Sequence, residues 1–265
     1  MQKYGYLIYS FVAGLSIAGA NYFIGKEFSL AYAGLTSSLI FFFSFFTYTI
    51  DHYLDGQKST DKASLHKRHL VNYEQYSIAT KGFAFTSLVA IYFFVWRPIP
   101  TFYMVNGFLL ALASGVYFLL VFKFNLHLLL KQSLAALVLT GIVSSWLLAE
   151  EGFRLTSWIY ISFVWLAIFS NLLFFGWMDK PYDSRLNNEQ AKAYLSLNGL
   201  RMLWLFSSIF IFLMGASIGI GQTWSFIPMA YLLLSVLKMG VVKGNWLRLV
   251  ADLCMLLPVL KWFWI

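Results

Sequence analysis

Charge is what this sequence has least of. Charged residues make up 11% of its 265 positions, less than half of the roughly 25% found in soluble domains, so a water-facing surface cannot be assembled from them. Cysteine occurs once, at Cys254, which excludes an internal disulfide and, in its apolar setting, points to a buried structural thiol. With only 5 prolines, few places exist where a long helix must break. A P-loop, a nucleophile elbow and a glycine-rich dinucleotide fingerprint are all missing, and His52 and His66 lack the spacing of a zinc site. The N-terminus has no basic region before a cleavage site, because Lys3 stands alone and aromatics crowd the next several positions, so the first apolar segment is expected to be retained.

What the chain does have is apolar length. Hydrophobic residues account for 60% of it, in runs centred near Gly14, Leu39, Thr86, Ala111, Val138, Trp165, Phe210, Tyr231 and Met255. At about 20 residues per membrane-crossing helix, nine such runs take up about 180 residues and leave no room for a separate soluble domain. The expected fold is an all-α integral membrane protein: a single polytopic domain over residues 1–265, with nine transmembrane helices bundled around a central cavity that opens near the cytoplasmic side.

Basic residues orient the bundle. With nine spans, only Lys26, Arg97, Arg154 and Lys261 of the 19 lysines and arginines fall on the side opposite the N-terminus. That asymmetry predicts a cytoplasmic N-terminus and an outer C-terminus. The net charge of +8 is thereby a topology signal, and a nucleic-acid partner is not expected because no soluble basic surface exists. Most of the acids lie on the same inner side, in the two longest connections, Asp51 to Tyr76 and Asp179 to Tyr194. Long loops rich in acids and bases are where function concentrates.

Two acid pairs stand out there. Asp51 and Asp55 close the second apolar run, and Asp179 and Asp183 close the sixth. A spacing of four on a continuing helix places both carboxylates of a pair on one face. Like charges at that spacing repel, and at a helix C-terminus they also oppose the macrodipole, so two such pairs call for a compensating cation. Hard oxygen donors suit magnesium, which typically joins one or two carboxylates to substrate phosphates. The simpler role for each pair is a solvated helix end, balanced by Lys58 or Lys180.

This arrangement resembles the UbiA-type family of intramembrane prenyltransferases, which carries aspartate motifs after its second and sixth helices. The aspartates match at Asp51, Asp55, Asp179 and Asp183. Thr47 stands at the position of a family asparagine, Arg68 and His69 stand near the place of an arginine–proline step, and Tyr117 and Lys123 correspond loosely to a tyrosine–lysine element. The resemblance implies a magnesium-dependent enzyme that binds a polyprenyl diphosphate, ionises it, and transfers the prenyl group to an aromatic or other lipophilic acceptor. The four aspartates would be the catalytic metal ligands, and Arg68, Lys123, Lys180 and Arg185 would face the phosphates. A UbiA-type terpene cyclase, in which the cation attacks its own double bonds, is the alternative within that class. An ion- or proton-coupled membrane carrier is the alternative outside it. Membrane lipid is the only other partner expected, and no obligatory protein partner is implied.

Other polar residues inside the apolar runs add candidates. Asn171 precedes Asp179 by eight residues, two turns deeper on a similar face, where it could touch an acceptor or bond a neighbouring helix. Lys123, His127 and Lys131 are spaced by four and read as one stripe at the start of the fifth helix. Phe41, Phe42, Phe43, Phe45, Phe46 and Tyr48 could line a prenyl tunnel, although most must simply pack, since aromatics are 20% of the chain. Tyr48, Tyr53 and Tyr182, beside the acids, are the stronger aromatic candidates. The segment from Asp61 to Glu74, with its mixed charge, is expected to act as a lid.

Reporter fusions placed after Lys58 and after Arg185 should both report the cytoplasmic side. If the two loops report opposite sides, the four aspartates cannot share one site.

Overall fold

The computed structural model describes residues 7–58, 70–96, 100–123, 128–151 and 154–186, with scattered residues between 199 and 254. Six helices succeed one another: α1 (Leu7–Glu27), α2 (Ala33–Lys58), α3 (Tyr73–Trp96), α4 (Thr101–Lys123), α5 (Leu128–Glu151) and α6 (Leu155–Leu186). Among the described residues there is no strand. Each of the first six expected centres falls inside one of these helices. Of the remaining three, Phe210 is helical, whereas Tyr231 and Met255 lie outside the described residues. Helix is the form an apolar chain of this kind takes, because it pairs every backbone N–H and C=O without help from water. Among the described residues, three segments are long and apolar enough to cross a membrane: Leu7–Glu27, Ala33–Leu54 and Leu155–Phe175.

Local chemistry sets the helix ends. After α1 the chain reverses through Ser29, whose φ of 54° is left-handed. The Leu30 N–H donates to the Gly25 carbonyl at 2.7 Å and the Ser29 N–H to the Lys26 carbonyl at 3.2 Å. These are the two bonds of a Schellman cap, here with serine at a position usually given to glycine. At the start of α3, the Gln75 N–H donates to Asn72 Oδ1 at 2.9 Å and the Asn72 N–H to Gln75 Oε1 at 3.0 Å. This reciprocal box fixes the start of the helix at Asn72. Glu74, expected within a lid, therefore sits in the first turn of α3. The rest of that segment up to His69 lies outside the described residues.

α1 is the shared neighbour in the bundle, packing against both α2 and α5, while α3 lies on α2 and both α4 and α6 lie on α5. Small residues permit its close approach to α2. A Cβ added to Gly14 would sit 3.1 Å from both the Phe41 carbonyl oxygen and the Phe45 nitrogen. On the other side of α1, Phe23 and Ile24 enter a core with Val143 and Leu147 of α5 and Tyr160, Val164 and Phe174 of α6. Cys254 is buried against the same core as a free thiol, as its apolar setting indicated.

One polar side chain crosses this interior. Asn21, 3% exposed, donates from Nδ2 to the Val143 carbonyl of α5 at 3.0 Å. Its Oδ1 is met by the hydroxyls of Thr36 at 3.2 Å and Ser37 at 2.8 Å, both on α2. Each hydroxyl has one proton and also reaches a backbone carbonyl of its own helix, Ala33 in both cases. The junction stays satisfied as long as one of the two hydroxyls gives its proton to Asn21 Oδ1, leaving the other free for its own helix.

Gly14→Leu should lower the thermal stability of detergent-solubilised protein by about 1–3 kcal/mol, because backbone rather than a movable side chain blocks the new atoms. Gly34→Leu, where an added Cβ has nothing within 4 Å, should be neutral or mildly stabilising. Equal effects at the two sites would contradict the packing of α1 on α2.

Candidate functional site

Helix length positions the acids. At 1.5 Å per residue, the 26 residues of α2 and the 32 residues of α6 extend about 39 and 48 Å, beyond the roughly 30 Å of a bilayer's hydrocarbon core. Their uncharged stretches end at Ile50 and Met178. Asp51 and Asp55 accordingly occupy the last two turns of α2, and Asp179 and Asp183 the last two turns of α6. Both pairs lie on continuing helix, the condition for a shared face at a spacing of four. In α6 the helix continues through Pro181, which returns no N–H to the carbonyl one turn back.

A cavity connects the two helices just below these turns. It is lined by Tyr48 and His52 of α2 and by Asn171 and Phe175 of α6, with Tyr9, Ala13 and Ser16 of α1 and Leu139 and Val143 of α5 completing its wall. Since Tyr48 and His52 flank Asp51 in sequence, and Phe175 precedes Asp179 by one turn, the acid-bearing ends of α2 and α6 lie at the same end of the bundle.

The cavity wall is mostly apolar, with a few polar groups set into it. His52, 5% exposed, has Nδ1 3.2 Å from the hydroxyl of the fully buried Ser10 on α1. Asn171 is 8% exposed. Its Oδ1 is buried with no hydrogen-bond partner among the described residues. An orphaned amide oxygen in an apolar interior costs about 1–3 kcal/mol, which marks it as a place where a donor from outside the chain would be welcome.

The remaining expected residues divide into three groups. Thr47 is half-buried one turn before Asp51 on α2, and Asp51 itself is half-buried. Asp55, Asp179, Lys180, Asp183 and Arg185 are placed by their helices, their side chains lying outside the described part of the structure, as does all of Arg68. Among the described residues no three His, Cys, Asp or Glu side chains come together. Tyr117 is on α4 and is not part of the cavity wall. Lys123 is the last residue of α4, and this corrects the expected stripe. Because α4 ends at Lys123 and α5 begins at Leu128, Lys123 and Lys131 sit on different helices and cannot share a helical face. His127 falls between the two helices, outside the described residues.

The aromatic run of α2 mostly packs. Phe41 and Phe45 meet the edge of Phe11 on α1, with ring centroids 5.4 and 6.5 Å away. Phe43 meets Phe83 of α3 at 5.3 Å, Phe46 lies against Gly82, and Phe42 faces outward. Tyr53 stacks on Tyr76 of α3 at 4.4 Å. Tyr48 is the member of the run that reaches the cavity, while the side chain of Tyr182 lies outside the described part of the structure. Neither the role of Asn21 nor the contact of His52 with Ser10 was readable from the sequence, since both need partners from other helices. The Asn72 to Gln75 box was missed as well, although its partners are only three residues apart.

Comparison with known proteins gives no match: no family model fits the chain, and neither a curated protein nor a solved structure is similar to it.

Proposed function

We propose that this chain is a magnesium-dependent intramembrane enzyme that ionises a polyprenyl diphosphate and transfers the prenyl group to an aromatic or other lipophilic acceptor, within a nine-helix bundle whose acid end faces the cytoplasm. The observation that carries the reading is the shared end of α2 and α6. Two pairs of aspartates at a spacing of four follow the uncharged stretches of two helices that together wall one partly polar cavity. A carrier would instead be expected to hold its charges near the middle of broken helices.

The donor set fits the metal by its chemistry. Carboxylates in adjacent turns offer hard oxygens, and Asp51, Asp55, Asp179 and Asp183 would hold magnesium. Bound there, magnesium would neutralise diphosphate charge as the carbon–oxygen bond breaks. The chain's own cations do related work. Lys180 and Arg185 share the last turns of α6 with Asp179 and Asp183, so they can hold phosphate oxygens, lysine as a point charge and arginine as a bidentate fork. Arg68, in the connection between α2 and α3, can close over the same group. Thr47, one turn deeper than Asp51, offers a hydroxyl where the helix face turns toward the acids.

Changing any one of the four aspartates to alanine should slow diphosphate release by about 10²- to 10³-fold, the usual effect of removing one group that stabilises charge in the transition state. Expression should be preserved, because relieving like-charge repulsion does not weaken the helix ends. Asp61→Ala and Glu189→Ala, outside the paired spacing, should remain within a few-fold of the unaltered protein. The assay follows diphosphate released from a series of prenyl diphosphates in the presence of magnesium, with and without candidate phenols, and identifies the organic product by mass spectrometry. Unimpaired release by both Asp51→Ala and Asp183→Ala would refute the metal site.

A further inference from the structure

We infer that the cavity below the aspartates is a water chamber anchored by Asn171, and that its water is itself an acceptor for the allylic cation, so that the protein also makes a prenyl alcohol. The alcohol rests on the reading given under Proposed function, whereas the water site stands on the structure alone.

Size and a few placed polar groups argue for water. The cavity measures about 70 Å³, room for a few waters, since about 10–15 Å³ is the least that admits one, and roughly half of the ~150 Å³ of an apolar cavity that admits benzene. A buried water needs two to four polar partners. The wall provides Asn171, His52, Tyr48, Tyr9 and Ser16, and the Oδ1 of Asn171 has no partner among the described residues. Asn171 is more than nine-tenths buried and lines the cavity, so a donor inside the cavity can supply what this oxygen lacks among the described residues. A water donating to it would keep a lone pair for the space above.

Placement gives that lone pair a use. Asn171 is eight residues before Asp179, about 12 Å along α6, and Tyr48 is three residues before Asp51 on α2. On the reading given above, a diphosphate held at the acids would extend its prenyl group toward the chamber. The bond from the allylic carbon to the diphosphate oxygen breaks, and its electron pair leaves with the diphosphate. A lone pair on the water oxygen forms the new carbon–oxygen bond. The resulting oxonium gives one proton to the departed diphosphate, leaving the alcohol and hydrogen diphosphate, with no change of oxidation state.

The full chain in lipid nanodiscs, supplied with farnesyl diphosphate and magnesium in water enriched in heavy oxygen and without any organic acceptor, should yield an alcohol that carries the label and diphosphate that does not. In Asn171→Leu, alcohol formed per diphosphate released should fall about tenfold, with hydrocarbon from proton loss making up the difference, while Asn171→Asp, which keeps an acceptor oxygen, should restore it. Label in the released diphosphate, or an unchanged alcohol share in Asn171→Leu, would overturn the water-acceptor role. X-ray radiolytic footprinting without substrate tests the chamber separately. Hydroxyl radicals formed from bound water should modify Phe175, which is buried yet lines the cavity, and Asn171→Leu should suppress this. An unmodified Phe175 in the unaltered protein would overturn the chamber, whereas modified Phe175 with no diphosphate released would uphold the chamber and overturn both the alcohol and the enzymatic reading.

Discussion

The hydrogen bonds of Asn21 are the joint on which the arrangement of the first helices depends. In a bundle whose helices are apolar all round, hydrophobicity does not choose one neighbour over another, because lipid and protein interior are equally apolar. Polar side chains and close backbone approach make that choice. Asn21 ties α1 to α5 through the Val143 carbonyl and to α2 through Thr36 and Ser37, and Gly14 brings the backbones of α1 and α2 together a few turns away. With α1 fixed between α2 and α5, and α6 packed on α5, the ends of α2 and α6 have little freedom to separate. The candidate site inherits its geometry from that joint rather than from the acids, which by themselves repel.

The same logic explains the chemistry of the cavity. Its wall draws on four helices, and the polar side chains that α1, α2 and α6 place there would be costly facing lipid. Ser10 and His52 satisfy one another across α1 and α2, whereas the Oδ1 of Asn171 does not find a partner among the described residues. A fully satisfied network is a structural element; a nearly satisfied one, next to acid-bearing helix ends, is a place for a ligand. The cavity is narrow, and the aromatic run of α2, rather than opening a tunnel, is largely committed to packing on α1 and α3.

The stripe expected on the fifth helix shows how a periodic pattern can mislead. Lys123, His127 and Lys131 keep a spacing of four across the boundary between α4 and α5, and no proline or glycine stands between those helices to announce it. Periodicity describes a face only while the helix continues. For the acid pairs it does continue, even through Pro181, so the same reasoning holds at Asp179 and Asp183.

By itself the sequence determined that the chain is helical, where six of its helices lie, which helices end in aspartate pairs, and that Cys254 is buried. These depend on apolar run length, polar punctuation and residue spacing, all of which are local. Only the tertiary structure decided that α1 stands between α2 and α5, that Asn21 links them, that Tyr48, His52 and Asn171 meet in one cavity, and that Tyr117 stays outside it. The reason is physical: in an apolar chain nearly every helix face is equally suited to burial, so neighbours are selected by a few long-range hydrogen bonds and glycine contacts, whose partners are as many as 122 positions apart.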